Sequence, residues 1–156
     1  MRSLLFVPAD SERKLDKALT AEADVLILDL EDSVGLERKD DGRRIAGRFL
    51  TEARGRTGAK LYIRVNDLST GMTDTDLGAI MAGRPDGIML PKAEGGDDVA
   101  CLAASLRVHE AENDIADGST RILPIITETA MGVLNAASYR GSSERLAGLT
   151  WGAEDL

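Results

Sequence analysis

Residues 24–34 read "DVLILDLEDSV", an apolar run that ends in three carboxylates within four residues, Asp29, Glu31 and Asp32. A run of Val, Ile and Leu without polar alternation is typical of a strand that is buried on both faces, as in parallel sheets. Like charges gathered at its end repel one another unless something positive meets them. The stretch therefore predicts a buried parallel strand with an ionic site at its carboxyl end.

Short apolar runs of the same kind recur along the chain, separated by longer amphipathic stretches with helical spacing. This alternation is typical of parallel strands joined by helical crossovers, the repeated βα unit of α/β proteins. The six predicted strands cover residues 3–7, 24–30, 60–65, 86–91, 121–127 and 146–152.

The chain length limits which α/β fold these units can form. A closed (β/α)8 barrel needs eight units and about 250 residues, whereas this chain has 156. The sequence therefore predicts either an open doubly wound sheet or about the first six units of a TIM (β/α)8-type barrel. No linker or low-complexity tract divides the chain, so residues 1–156 are predicted to form a single domain.

Composition narrows the class of partner. The formal net charge of -8 disfavours nucleic acid and anionic membrane surfaces, because both would repel the protein on average. Small molecules and proteins are the expected partners. A single cysteine, Cys101, leaves no internal disulfide. The apolar run at the amino terminus is too short for a signal peptide or a membrane span, so the cytoplasm is the expected compartment.

Ionisable side chains follow one predicted strand after another at the rim, by which we mean the carboxyl ends of the strands and the loops after them. Glu128 and Asp155 follow directly after two successive predicted strands. Adjacent strands lie about 5 Å apart, so these two carboxylates can share a hard cation such as Mg²⁺. Glu31 and Asp32 would then orient the waters of the ion. Arg64 has the planar donor fork that suits a substrate carboxylate.

Other reactive residue types give little support for a site. His109 is the one histidine, and its place on an outer connector predicts a solvated helix residue. Cys101 on the same connector is predicted to fill core space. Neither a Ser-His-Asp nor a Cys-His arrangement is available at the rim, which disfavours covalent acyl transfer. No glycine-rich stretch carries the lysine of a P-loop.

Six ordered segments resemble motifs of one known family. They read "RSLLFVPADSERKLDKA", "ADVLILDLEDSV", "YIRVND", "GIMLPKAE", "ITETAMGVLNA" and "LTWGAEDL". They are similar to the citrate lyase beta subunit and malyl-CoA lyase group of the HpcH/HpaI aldolase superfamily. The resemblance implies a TIM barrel, usually a homotrimer or a multiple of trimers. It also implies a bound Mg²⁺ and a reaction that makes or cleaves a carbon-carbon bond between an acyl-CoA and a 2-oxo acid.

The resemblance assigns roles at the rim. Glu128 and Asp155 are expected to be the metal ligands, and Arg64 is expected to bind substrate and stabilise the enolate or its neighbouring carboxylate. Glu31 and Asp32 match the acidic pair that hydrogen-bonds the waters of the metal. The expected chemistry is Lewis-acid activation of a keto acid by the ion, with fixed donors stabilising the oxyanion.

Three further residues are predicted to contact the substrates. Phe6 and Lys17 match positions that approach the CoA moiety in the family, and Lys92 lies at the rim after the fourth predicted strand. The expected partners are a small 2-oxo acid, such as oxaloacetate or glyoxylate, and an acyl-CoA or acyl-carrier protein. Because the last two βα units fall outside these 156 residues, this length of chain is expected to be poorly active or inactive alone.

Two other functions remain open from the sequence. A receiver-like phosphoacceptor domain also has a strand that ends in aspartate, as in "DVLILDL". Receivers, however, need an acidic pair after their first strand and a lysine followed by proline after their fifth, and this sequence shows neither. A non-catalytic CoA-binding or assembly subunit is the other alternative.

Overall fold

The computed structural model describes residues 1–153, which form five parallel strands with helices between them. The strands lie side by side in chain order, and each pairs in parallel with the next. The strands are β1 (Leu4–Pro8), β2 (Val25–Asp29), β3 (Lys60–Arg64), β4 (Gly87–Leu90) and β5 (Arg121–Pro124). The helices are α1 (Glu12–Ala18), α2 (Lys39–Glu52), α3 (Thr73–Ile80), α4 (Gly96–Glu112) and α5 (Ala130–Leu134).

Side chains alternate between the two faces of the sheet along each strand. Both faces carry apolar side chains. In β2, Leu26 and Leu28 belong to the larger core cluster, which also contains the buried faces of α1 to α4. Val25 and Ile27 point the other way, into a smaller cluster on the inner face. A strand that buries both faces explains why the run quoted above has no polar alternation.

A large aromatic ring fills the inner layer. Tyr62 of β3 is fully buried, and Gly87 is its partner in β4. A Cβ atom at residue 87 would lie 2.4 Å from Cε1 of that ring, which is far inside van der Waals contact. Glycine at this position therefore makes the space that Tyr62 occupies.

Two predictions for α4 are wrong. His109 is buried rather than solvated, since its Nε2 lies 2.9 Å from Oδ1 of Asp74 in α3. Cys101 is exposed rather than part of the core. The face of a long crossover helix that meets its neighbour is set by tertiary packing, and the weak amphipathic pattern of α4 did not define that face.

The sixth predicted strand, residues 146–152, is not a continuous strand. It runs parallel to β5 through two isolated bridges, Ile122 with Leu146 and Ile125 with Thr150. Between them the ladder is interrupted for two reasons. Pro124 has no N–H to donate, and Gly148 at φ 156° lies where three residues span the distance of two in β5. β5 itself ends at Pro124, three residues before the predicted end.

The architecture is an α/β fold with the strand order and direction of a TIM-type barrel. One prediction, an open doubly wound sheet, is wrong, because that fold places strands on both sides of the first strand. Here the order is sequential, the helices cover one face, and the other face forms a second apolar layer. Among residues 1–153, no helix combines the length and the apolar character that crossing a membrane requires.

Candidate active site

An ion pair joins the last residues of β2 and β3. Asp29 and Arg64 are paired in register, so both side chains leave the sheet on the inner face at the rim. Arg64 donates through Nε and Nη2 to the two carboxylate oxygens of Asp29, each at 2.8 Å. Burial by itself opposes ionisation of Asp29, but the hydrogen bonds from Arg64 and Ser33 outweigh it and lower the pKa of that carboxyl group.

The loop after β2 is held by four further hydrogen bonds. The oxygens of Asp29 also accept the N–H groups of Glu31, at 2.9 Å, and Ser33, at 3.1 Å. From behind the loop, Lys39 donates its buried ammonium to the carbonyl oxygens of Leu30 and Glu31, each at 2.7 Å. These contacts fix the direction in which Glu31 leaves the chain.

Glu31 lies between two cations. Its Oε2 is 2.9 Å from Nη1 of Arg64, and its Oε1 accepts the ammonium of Lys92. Burial raises the pKa of Glu31, although both cations favour its charged form. Among residues 1–153, Oε2 is buried without a partner in hydrogen-bond geometry, because the approach of Arg64 is close but not aligned. Asp32 is 61% exposed and lies 3.6 Å from Arg64 and 3.7 Å from Lys92.

Lys92 connects this cluster to β5. It lies two residues after the end of β4, and its backbone N–H donates to Oε2 of Glu128. Burial by itself would lower the pKa of Lys92, but the bond to Glu31 and the neighbouring negative charges raise it. Glu128 was predicted directly at the end of its strand. It lies instead in a bend three residues beyond Ile125, because β5 ends early.

One cavity of ≈ 720 Å³ opens on the inner face at the rim. Four residues predicted for the site line it: Phe6, Asp32, Arg64 and Glu128. The ring of Phe6 lies 5.0 Å from the guanidinium carbon of Arg64 and forms a cation–π contact. The other predicted contact residue for CoA, Lys17, is exposed on α1 and lines a separate cavity of ≈ 330 Å³ that Phe6 also borders.

The donor set suits a hard divalent cation. Carboxylate oxygens are the ligands that Mg²⁺ prefers, with few protein ligands and several waters. At the rim, Asp29 and Glu31 pair with Arg64 and Lys92, and among the residues that the structure describes Oε2 of Glu31 is buried without a hydrogen bond. No three His, Cys, Asp or Glu side chains among residues 1–153 gather around one point. The second predicted ligand, Asp155, lies outside the described residues.

Two residues that organise the site were not predicted from the sequence. Asp29 was noted as part of the acidic cluster, but its role as the partner of Arg64 was not predicted. A usable signal was that Asp29 and Arg64 are each a charged residue within an apolar run, "ILDL" and "YIRV", where a buried charge needs a partner. Lys39 left no such signal, because a lysine in the first turn of a helix is usually solvated.

The fold and the site together define a barrel-type α/β protein with an acidic rim that suits a divalent cation. The chain belongs to the HpcH/HpaI aldolase/citrate lyase family, whose model matches residues 2–156. The resemblance seen in the sequence is therefore confirmed.

Individual relatives refine this placement. The chain is 35% identical over 154 residues to the citrate lyase subunit beta of Escherichia coli K12, covering 99% of this chain and 50% of the relative. It is 34% identical over 157 residues to a (3S)-malyl-CoA thioesterase of Cereibacter sphaeroides (strain ATCC 17023), again with 99% and 50% covered. The chain thus spans about half the length of these relatives.

A solved structure agrees in fold. The citrate lyase beta subunit of M. tuberculosis, complexed with oxaloacetate and magnesium, superposes with a TM-score of 0.72. It is 34% identical to this chain, and the match covers 98% of this chain and 58% of the other.

Proposed function

We propose that this chain forms part of the active site of a Mg²⁺-dependent carbon-carbon lyase. The enzyme would cleave a 3-hydroxyacyl-CoA of the citryl-CoA or malyl-CoA type into an acyl-CoA and a 2-oxo acid, or condense the two. The observation that carries the proposal is the cavity at the rim, where Arg64, Asp32 and Glu128 line one space. The relative with bound oxaloacetate and magnesium supports the same substrate class.

Each rim residue has a distinct part in this proposal. Glu128 and Asp155 would hold Mg²⁺, which supplies Lewis-acid polarisation of the keto group when bound. Arg64 is anchored on Asp29 through Nε and Nη2 and borders the cavity, so it would offer a fixed positive charge to the substrate carboxylate. A fixed cation there also stabilises negative charge as the carbon-carbon bond breaks. Glu31 would accept hydrogen bonds from the waters of the ion.

The acyl carrier would approach from the side of β1. The cavity of ≈ 330 Å³ there has an apolar wall that includes Leu5 and Phe6, and it is also lined by Lys14 and Lys17. An apolar wall with two ammonium groups suits a pantetheine arm followed by phosphates. A pantetheine arm with phosphate is common to acyl-CoA and acyl-carrier protein, so the proposal includes both carriers. We also propose that the protein assembles as a homotrimer, as the family resemblance implies.

The test is titration calorimetry of oxaloacetate against the chain, with Mg²⁺ and then with EDTA. We expect binding in Mg²⁺ and its loss in EDTA. Arg64→Lys should weaken binding at least tenfold, since an ammonium cannot keep both the pair with Asp29 and a contact to substrate. Arg44→Lys is the matched control because Arg44 is exposed on α2, away from the cavity. Binding that persists in EDTA would contradict the proposal.

Product analysis separates the remaining functions. Incubation of citryl-CoA or malyl-CoA with a chain extended to the length of the relatives should release a 2-oxo acid and an acyl-CoA, whereas the 156 residues alone should release little. Free CoA without a 2-oxo acid would indicate thioester hydrolysis instead, and CoA binding without turnover would favour the non-catalytic subunit. The receiver-like alternative has no support in the site, because Asp29 is 2% exposed and both of its oxygens are engaged by Arg64.

A further inference from the structure

Lys92 has an unusual backbone conformation for its residue type. Its φ is 51°, in the left-handed region, where a residue with a Cβ atom is strained. Asn and Asp tolerate this region because their short side chains bond locally, and lysine has no such compensation. Strain of this kind persists only where the surrounding structure enforces it, and it concentrates at functional sites.

The left-handed backbone lets one residue contact two carboxylates from different strands. Its N–H donates to Glu128, after β5, while its ammonium reaches Glu31, after β2. These two strands are three places apart in the sheet, or about 14 Å at the usual spacing of strands. A residue just after β4, with one donor on its backbone and another at the end of a long side chain, can span that distance.

The surroundings of Lys92 favour a role toward these carboxylates over a direct role toward substrate. It lines a cavity of ≈ 320 Å³ with Ser69 and Thr129, and it is not among the residues around the larger cavity of Arg64. Its ammonium already lies against Glu31 and 3.7 Å from Asp32.

We propose that Lys92 is a positioning residue of the candidate cation site, which sets the placement of Glu31 and Glu128 relative to each other through its ammonium and its N–H. This inference rests on the proposed function, because it takes Glu128 as a cation ligand. It differs from the substrate-binding role that the sequence predicted for Lys92.

Calorimetric titration with Mg²⁺ alone tests the role of the ammonium. Lys92→Ala should weaken Mg²⁺ binding about tenfold, the lower end for partners that orient metal ligands, and Lys92→Arg should restore it to within about threefold. The direction of the change in Mg²⁺ affinity distinguishes a positioning lysine from a competing one. A lysine that merely competed with the ion would give tighter binding once removed, so unchanged or tighter binding in Lys92→Ala would overturn the proposal.

Lys92→Gly tests the backbone contact. Glycine also lacks the ammonium, but it adopts the left-handed region without strain and keeps the N–H. We therefore expect Lys92→Gly to bind Mg²⁺ more tightly than Lys92→Ala. Equal affinities would contradict the role of the N–H toward Glu128.

Crystal structures without metal keep this inference separable from the proposed function. If the wild-type chain binds no Mg²⁺, the proposed function fails at that step. The positioning role is then judged by the distance between the carboxylates of Glu31 and Glu128. That distance should change in Lys92→Ala and be kept in Lys92→Arg, and an unchanged distance in Lys92→Ala would overturn the inference.

Discussion

Two arginines in this protein grip a buried carboxylate in nearly the same way. Arg64 contacts both oxygens of Asp29 at 2.8 Å, and Arg145 contacts the two oxygens of Glu110 at 2.8 and 2.6 Å. In each case two backbone N–H groups complete the carboxylate. Those of Glu31 and Ser33 bond to Asp29, and those of Gly118 and Thr120 bond to Glu110.

The two clusters differ in the buried acids that they contain. Around Arg145 a single buried carboxylate faces a single buried cation, and the other acid, Asp117, is mostly exposed. Around Arg64 a second buried acid, Glu31, pairs with a second cation, Lys92, and one of its oxygens has no hydrogen bond among residues 1–153. Burial and pairing are therefore common to both regions, whereas a buried carboxylate oxygen without a hydrogen bond, in a cluster beside a cavity, marks the one that suits a ligand.

The cluster of Arg145 and Glu110 has a structural role. Glu110 is near the end of α4, Thr120 directly precedes β5, and Arg145 directly precedes the segment that bridges to β5. The ion pair ties these three places together on the side of the sheet away from the rim. The cluster of Arg64, by contrast, ties two strand ends at the rim itself.

The largest expected effect on stability comes from removing one partner of the Arg145–Glu110 ion pair. Arg145→Met should lower the free energy of unfolding by about 3–5 kcal/mol, because Glu110 keeps a buried charge without its cation. Adding Glu110→Gln should recover a substantial part, since that charge is then gone. Urea unfolding with unchanged m-values measures both.

The equivalent pair of substitutions at the rim sharpens the contrast. Asp29→Asn combined with Arg64→Met removes one acid and one cation but leaves Glu31 buried beside a single remaining side-chain cation, Lys92. This double variant should recover less of the loss caused by Arg64→Met than the Glu110 and Arg145 pair does. Equal recovery in the two regions would mean that the second buried acid, Glu31, adds no cost of its own when Arg64 is removed.

The second largest effect is expected at low pH, which should weaken the ion pair between Glu110 and Arg145. The carboxyl of Glu110 is 1% exposed, and although its burial opposes ionisation, the hydrogen bonds from Arg145 and Thr120 lower its pKa to about 2. The unfolded chain binds the proton more readily, so this stability is present above the ordinary pKa near 4.5 and is lost as the pH falls toward 2. The loss amounts to about 3 kcal/mol.

Urea unfolding at pH 6 and pH 3 measures this dependence. Glu110→Gln should reduce the pH dependence between those two values, because the variant has no carboxyl group to titrate at that position, while Asp29 keeps its own contribution. Glu112→Gln, at an exposed site on the same helix, is the matched control and should leave the slope as it is. An equal slope in wild type and Glu110→Gln would place the acid-sensitive group elsewhere.

The sequence was sufficient to predict the five strands and the rim. Apolar runs without alternation located β1 to β5 to within a few residues, since burial on both faces leaves few other residue types possible. Both ends of β2 moved by a single residue, from 24–30 to Val25–Asp29. The predicted acids that the structure describes lie at one edge with Arg64, because parallel strands bring all their carboxyl ends to the same edge; these acids are Glu31, Asp32 and Glu128.

The connections within the site could not be predicted in the same way. The register that pairs Asp29 with Arg64 depends on packing of both faces of the sheet, and the left-handed Lys92 carries none of the residue types that signal such a conformation. The interruption near Gly148 depends on Pro124 of the neighbouring strand. Each of these features is a relation between two segments, whereas the apolar pattern reports on one segment at a time.

The smallest expected effect concerns a contact that the cluster of Arg64 has and that of Arg145 lacks. Phe6 places its ring 5.0 Å from the guanidinium of Arg64 and is 46% exposed, so Phe6→Leu should cost about 0.5–1 kcal/mol through the lost cation–π attraction. In an Arg64→Met background the same substitution should cost less, and a double-mutant cycle measures that coupling. Leu4→Met is the control, since Leu4 pairs in register with Val25, which in turn pairs with Lys60, four residues before Arg64. A coupling as small as that of the control would mean that the ring only covers the arginine without stabilising it.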